Sequence, residues 1–142
     1  MIERLLEMVD RKIEEHRLEL AALENELQAL RGERAYWLQW LKGTVSLPLT
    51  DGPAIRDWLA YGAKADRTVK ILTEKDFLVE TRIMQCRTEL RALAERRQRL
   101  EDILARRERH RRAVAERRAV RRLHEQAMAR HAAKEGENGS WP

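Results

Sequence analysis

The sequence predicts an all-α fold, an elongated antiparallel two-helix coiled-coil hairpin with a longer second helix. Three observations predict it. Of the 142 residues, 37% are charged, 5% are aromatic, and only six are Gly and three Pro. Apolar residues recur in steps of four and three over most of the length, and one Gly- and Pro-bearing stretch interrupts them. A β-sandwich or an α/β enzyme needs more turn and β-branched residues than this. The 43% apolar content is also too regularly placed for disorder.

Residues 1–42 are predicted as helix 1. Its seam runs Ile2, Leu6, Val9, Ile13, His16, Leu20, Leu23, Leu27, Leu30, Arg34, Trp37 and Leu41, apolar everywhere except His16 and Arg34. A repeat of 3.5 residues keeps facing a partner only if the two helices supercoil left-handedly. Gly32 is the one breaker inside and costs about 1 kcal/mol relative to Ala. Residues 43–53 are predicted as the bend. Gly43 suits a C′ position with positive φ. Pro53 suits the first turn of a new helix capped by Thr50 or Asp51.

Residues 54–134 are predicted as helix 2, with Gly62 as its only glycine. The seam resumes as Val69, Leu72, Asp76, Val79, Ile83, Cys86, Leu90, Leu93, Arg97, Leu100 and Leu104. Folding the chain about position 48 sets Leu41 against Ile55, Ile13 against Ile83, and Leu6 against Leu90. Arg34 then meets Gly62, and His16 lies one to two turns from Asp76. Those two polar seam residues either snorkel to water or form a polar layer that fixes register. Cys86 reads as a small buried hydrophobe. Residues 135–142 read as a disordered tail.

Charge divides the chain. Residues 95–142 hold 14 Lys or Arg against eight Asp or Glu, a net of +6, whereas residues 1–94 carry a net of −1. From about residue 95 helix 2 is expected to overrun its partner as a basic extension. The heptad fails at Arg106-Arg107-Glu108-Arg109-His110-Arg111-Arg112, and apolar residues return at Ala113, Val120, Leu123, Ala127 and Met128. Such a helix can meet an acidic protein surface, nucleic acid or anionic lipid, or simply be solvated. A helix of this length with no intramolecular partner is poorly stabilised alone, which favours docking.

No chemistry-bearing motif emerges. There is no Gly-rich phosphate loop, no paired Cys-x-x-Cys, no His-Glu-x-x-His and no Gly-x-Ser-x-Gly. His110, His124 and His131 share a helical stripe, but neighbours seven apart lie about 10 Å from each other, too far to share a metal. The expectation is therefore no catalytic residue, no metal, no cofactor and no enzymatic activity. The single cysteine fits a reducing compartment, and neither a signal peptide nor a membrane span is expected.

Tyr36, Trp37, Trp40, Trp58 and Tyr61 gather within about three turns of the bend. They form either an aromatic plug closing the hairpin end or an exposed docking patch. Trp37 is expected to be structural.

The size, the hairpin and the long second helix ending in a basic run resemble the flagellar export protein FliJ and its type III secretion relatives, the stalk family of the export ATPase. Local likeness is best over Arg96 to Lys134. There Arg96-Arg97-Gln98-Arg99-Leu100-Glu101-Asp102-Ile103-Leu104-Ala105-Arg106-Arg107 leads on to Arg121-Arg122-Leu123-His124-Glu125-Gln126-Ala127. The resemblance implies a coiled-coil stalk that couples a hexameric export ATPase to a membrane export gate protein, with export chaperones as further partners. On that model Arg107, Arg111, Arg118 and Arg121 face the ATPase, and Tyr36, Trp40, Trp58 and Tyr61 face the gate. The location implied is cytoplasmic, or peripheral at the inner membrane. One departure is that helix 1 is short relative to helix 2. The alternative is a nucleic-acid-binding or scaffolding coiled coil acting through the basic helix.

Overall fold

A computed structural model describes residues 1–44 and 52–139, with side chains described for residues 1–43 and 52–136. It contains two α-helices, α1 (Ile2–Thr44) and α2 (Gly52–Gly139), packed antiparallel as an all-α hairpin. No strand occurs among the described residues. Most of the bend, with its proposed caps Thr50 and Asp51, lies outside those residues, as do Ser140, Trp141 and Pro142.

Both helices run further than the sequence suggests. Gly43 is not a left-handed cap: no described glycine has a positive φ, and α1 continues through it to Thr44. A glycine tolerates the helical conformation at a cost of about 1 kcal/mol, which a long helix absorbs. At its other end α2 takes in residues 135–139, five positions that read as tail in the sequence. The stretch Ala132-Ala133-Lys134-Glu135 across that boundary consists of good helix formers, so propagation past Lys134 is favourable.

The chain divides into two compact units. The larger, Glu7–Arg96, holds most of the hairpin. Its α2 seam supplies the core, with Ala65, Leu72, Asp76, Val79, Ile83 and Cys86 all buried. On α1, Val9 is buried and every further seam position to Leu41 is half-buried, His16 and Arg34 included. The heptad reading of both helices therefore holds. It fails only near the start of α2, where Ala54, Trp58 and Gly62 take the inward positions and Ile55 is exposed. Three successive steps there (54, 58, 62, 65) run four, four and three, which turns Ile55 off the seam. The smaller unit joins Met1–Leu6 to Arg97–Pro142. In it Ile2 is buried, and Leu5, Leu6, Arg97, Leu100 and Leu104 are half-buried.

The register differs from the one expected. Folding at position 48 places residue 80 level with His16, but it is Cys86 whose Sγ–H donates to the His16 carbonyl, at 3.2 Å. Six residues correspond to about 9 Å of helical rise. Thus the expected pairs Leu41–Ile55, Ile13–Ile83 and Arg34–Gly62 do not describe the packing within the larger unit. Nothing lies within 4 Å of where a Gly62 Cβ would stand. The physical reason is Asp76. The expected register sets this carboxylate level with Leu20, and an unpaired charge in an apolar seam is costly. In the structure Arg31 Nε donates to Asp76 Oδ2 at 3.0 Å and Arg34 Nη1 lies 3.7 Å from the same oxygen. Asp76 accordingly has its partners on Arg31 and Arg34, and His16 is not its neighbour.

Asp76→Ala strands both arginines and should destabilise the chain by about 1–2 kcal/mol, since Arg31 can still reach water. Asp76→Leu extends the apolar seam and should hold or raise the thermal midpoint. Equal losses in the two variants, followed by circular dichroism, would show that the layer contributes more than register.

Candidate functional site

Two surfaces and one titratable network stand out, each within a single unit. The first surface is aromatic. Heptad spacing puts Trp37 on the α1 seam with Tyr36 and Trp40 beside it, and Tyr61 approaches from α2. Tyr61 is the hub: its ring centroid lies 4.5 Å from that of Trp40 and 5.6 Å from that of Trp37, and Trp37 meets Tyr36 edge-on at 5.7 Å. The structure thus joins Tyr36, Trp37, Tyr61 and Trp40 in one chain of ring contacts, while Trp58 makes no ring contact among the described residues. Tyr36 is exposed and Trp40 and Trp58 half-buried. The cluster is a cross-helix plug, and Tyr36 at its edge is exposed. Trp58 adds an unusual feature: its Nε1–H is buried and meets no acceptor among the described residues. Such a donor costs free energy until an acceptor reaches it.

The second surface is the basic segment of α2. Arg107, Arg111, Arg118 and Arg121 lie on one stripe, as steps of four, seven and three require, and all four are exposed. They are not equivalent. Arg111 donates to Glu108 through two nitrogens, at 2.7 and 3.1 Å, and Arg112 Nε donates to the same carboxylate at 3.2 Å. Those contacts, the Arg111 hydrogen bond foremost, hold the Glu108 pKa below its ordinary value. One acid thereby occupies two arginines. Arg107, Arg118 and Arg121 make no ion pair among the described residues. From Ala115 to Gly136 every residue is exposed.

The network surrounds His16, which the sequence marked only as a polar interruption. His16 Nδ1 lies 2.7 Å from the Lys12 carbonyl and Nε2 lies 2.6 Å from Glu89 Oε2. Both partners are acceptors, so both ring nitrogens donate and the imidazolium form is favoured. The Lys12 carbonyl first, and then the Glu89 carboxylate, raise the His16 pKa against the opposing effect of partial burial. Arg82 ties in from α2, its Nε donating to Glu19 Oε1 at 2.9 Å and its Nη1 standing 3.9 Å from Glu89. Cys86, wholly buried, has its thiol pKa pushed up chiefly by that burial and further by Glu19 and Glu89. Arg31, Glu80, Arg82, Glu19 and Glu89 went unnoticed in the sequence. They flank the seam at positions where cross-helix ion pairs form, and only the correct register would have matched them.

The large side chains Phe77, Leu78 and Met84 were missed as well. They lie on the α2 face turned away from the seam and are more than half exposed. Among the described residues no three His, Cys, Asp or Glu side chains converge to hold a metal ion, and no helix is long and apolar enough to cross a membrane. The class defined by fold and surfaces is an antiparallel two-helix hairpin with a basic helical extension. No family model, curated protein or solved structure matches the chain.

Two outcomes test these contacts. A raised His16 pKa means the folded state holds the proton more tightly than the unfolded chain. Its contribution to stability is therefore complete below the unfolded value of about 6.5 and is lost as pH rises through the folded pKa. Titration by NMR should place His16 above about 6.5, and His16→Gln should flatten the fall in thermal midpoint above that pH. A midpoint at or below 6.5 would sink the two-acceptor geometry. Separately, Tyr61→Ala removes two ring contacts and should cost about 1–2 kcal/mol in chemical denaturation. Tyr36→Ala, at an exposed site, should cost less than about 0.5 kcal/mol. Similar losses would contradict Tyr61 as the hub.

Proposed function

We propose that this chain is a non-enzymatic coiled-coil stalk of a flagellar or type III protein export apparatus. The basic segment of α2 docks on the hexameric export ATPase, and the aromatic cluster meets the membrane export gate protein. Export chaperones are further partners, and the site of action is the cytoplasm or the cytoplasmic face of the inner membrane. The observation that carries the proposal is the run of exposed positions from Ala115 to Gly136. A helix in water without a packed face is marginal, so this segment gains most of its stability from a partner. Its arginines favour an acidic one. On the gate side, Tyr36 offers exposed aromatic area, and Tyr and Trp are enriched at binding hot spots.

Within this scheme Arg118 and Arg121 carry more of the contact than Arg111, because Glu108 already holds Arg111. Titrating the full chain into the cognate export ATPase should raise its turnover and its hexamer fraction. Truncation after residue 105 should abolish the effect, and the double reversal Arg118→Glu with Arg121→Glu should reduce it at least tenfold. No stimulation, together with tight and steeply salt-dependent binding to nucleic acid, would overturn the stalk and favour the nucleic-acid coiled coil.

A further inference from the structure

The intramolecular seam does not simply fade beyond Leu104; the apolar stripe moves to another face. Continued in steps of three and four, the old seam meets Arg107, Arg111, Val114, Arg118, Arg121 and Glu125, which is a charged row. A new row, Ala113, Glu116, Val120, Leu123, Ala127 and Arg130, keeps the same three-and-four spacing. At 100° per residue it lies well over a quarter-turn from the old seam. The new row therefore does not present the face that served the intramolecular pairing. Val120 and Leu123 are 66% and 65% exposed, far more than a seam residue with a partner in place. A shallow groove beside Val120, bounded by Ala113, Glu116, Arg117, Arg121 and His124, lies along this row, its three basic or imidazole side chains outnumbering the one acid.

We infer that the row Ala113–Val120–Leu123–Ala127 is a coiled-coil docking face for an acidic α-helix of another protein. Heptad spacing identifies the occupant as a helix, because side chains recurring every 3.5 residues follow only a supercoiled partner. Charge identifies its character. The rows flanking the stripe hold Arg112, Ala119 and Gln126 on one side and Arg117, His124 and His131 on the other, with no acid among them. Glu108 engages Arg112 and Glu135 engages His131, while Arg117 makes no ion pair among the described residues. Flanking positions choose coiled-coil partners through cross-helix ion pairs, so the matching rows of the partner are Asp and Glu. A second copy of this chain would set arginine against arginine and is disfavoured for the same reason. Nucleic acid would use the arginines but gains nothing from Val120 and Leu123. This inference rests on the docking of the basic segment proposed above, adds to it a second face of that helix beside the one bearing Arg118 and Arg121, and is independent of which protein supplies the helix.

A fluorescent 28-residue peptide with Ile and Leu in the core heptad positions and Glu at the flanking ones is the probe. It repels itself and so is free to bind. Anisotropy with the full chain should show saturable binding that weakens with salt. Leu123→Glu should weaken it at least tenfold with unchanged helicity, since Leu123 is exposed and outside the hairpin seam. Arg112→Glu with Arg117→Glu should likewise lose the acidic peptide and gain a counterpart bearing Lys at the flanking positions. Absence of binding, or binding unaffected by Leu123→Glu, would overturn the inference. So would displacement of the peptide by a short DNA duplex whose affinity ignores Leu123→Glu. ATPase stimulation is not part of this readout: peptide binding without stimulation removes the stalk and leaves the docking face, and the converse removes the face alone.

Discussion

A carboxylate enclosed by apolar side chains must meet positive charge, and that requirement at Asp76 fixes how the two helices align. A seam of leucines and isoleucines is nearly indifferent to sliding by a heptad, because each step replaces one apolar layer with another. Asp76 ends that indifference. Its partners Arg31 and Arg34 stand on successive turns of α1, and with Asp76 between them α2 has one favourable position. The other cross-helix contacts then follow. Arg82 reaches Glu19, Arg87 reaches Glu24, and His16 reaches Glu89. Most of these pairs are half exposed and individually contribute little stability. Their common effect is on specificity, since every one of them is lost if the helices slip.

The same register sets the aromatic cluster. Tyr61 lies between Trp37 and Trp40 because α2 has moved along α1, whereas pairing about position 48 would have put Tyr61 level with Ala35. The rings therefore serve packing first, and the exposed edge of Tyr36 remains as the part free to act outward.

Beyond the hairpin seam the physics changes. Along the basic segment the covered layers end with Leu100 and Leu104, every residue from Ala115 to Gly136 is exposed, and local terms help to hold the helix. These include the Arg97–Glu101 pair, the Gln98–Asp102 bond and the Glu108 carboxylate shared by Arg111 and Arg112. Contacts three or four residues apart contribute a few tenths of a kcal/mol each, enough to bias a helix but not to bury a face. The segment is thus helical in form and unsatisfied in surface, which suits a part that completes its packing on something else. Unequal arginines follow from the same local pairs, for a guanidinium already engaged must give up its contact before making another.

The helices and their inward faces are legible in the spacing of apolar residues along the chain. Periodicity identified the α1 seam position by position, and on α2 from Val69 to Leu104, because burial of one face is a local property of spacing. It also separated the basic segment from the nearly neutral hairpin, since charge is counted residue by residue. The register, the partners of Asp76 and His16, and the hub role of Tyr61 emerge from the packed helices alone. These depend on the relative slide of two helices, which apolar repeats leave almost degenerate and a few charged residues resolve. The fate of Ile55 belongs with them, because two four-residue steps near the start of α2 turn it outward, and no composition reveals a phase change of that kind. The same holds for Glu108, whose acid reads as one interruption in a basic run until geometry shows it holding two arginines.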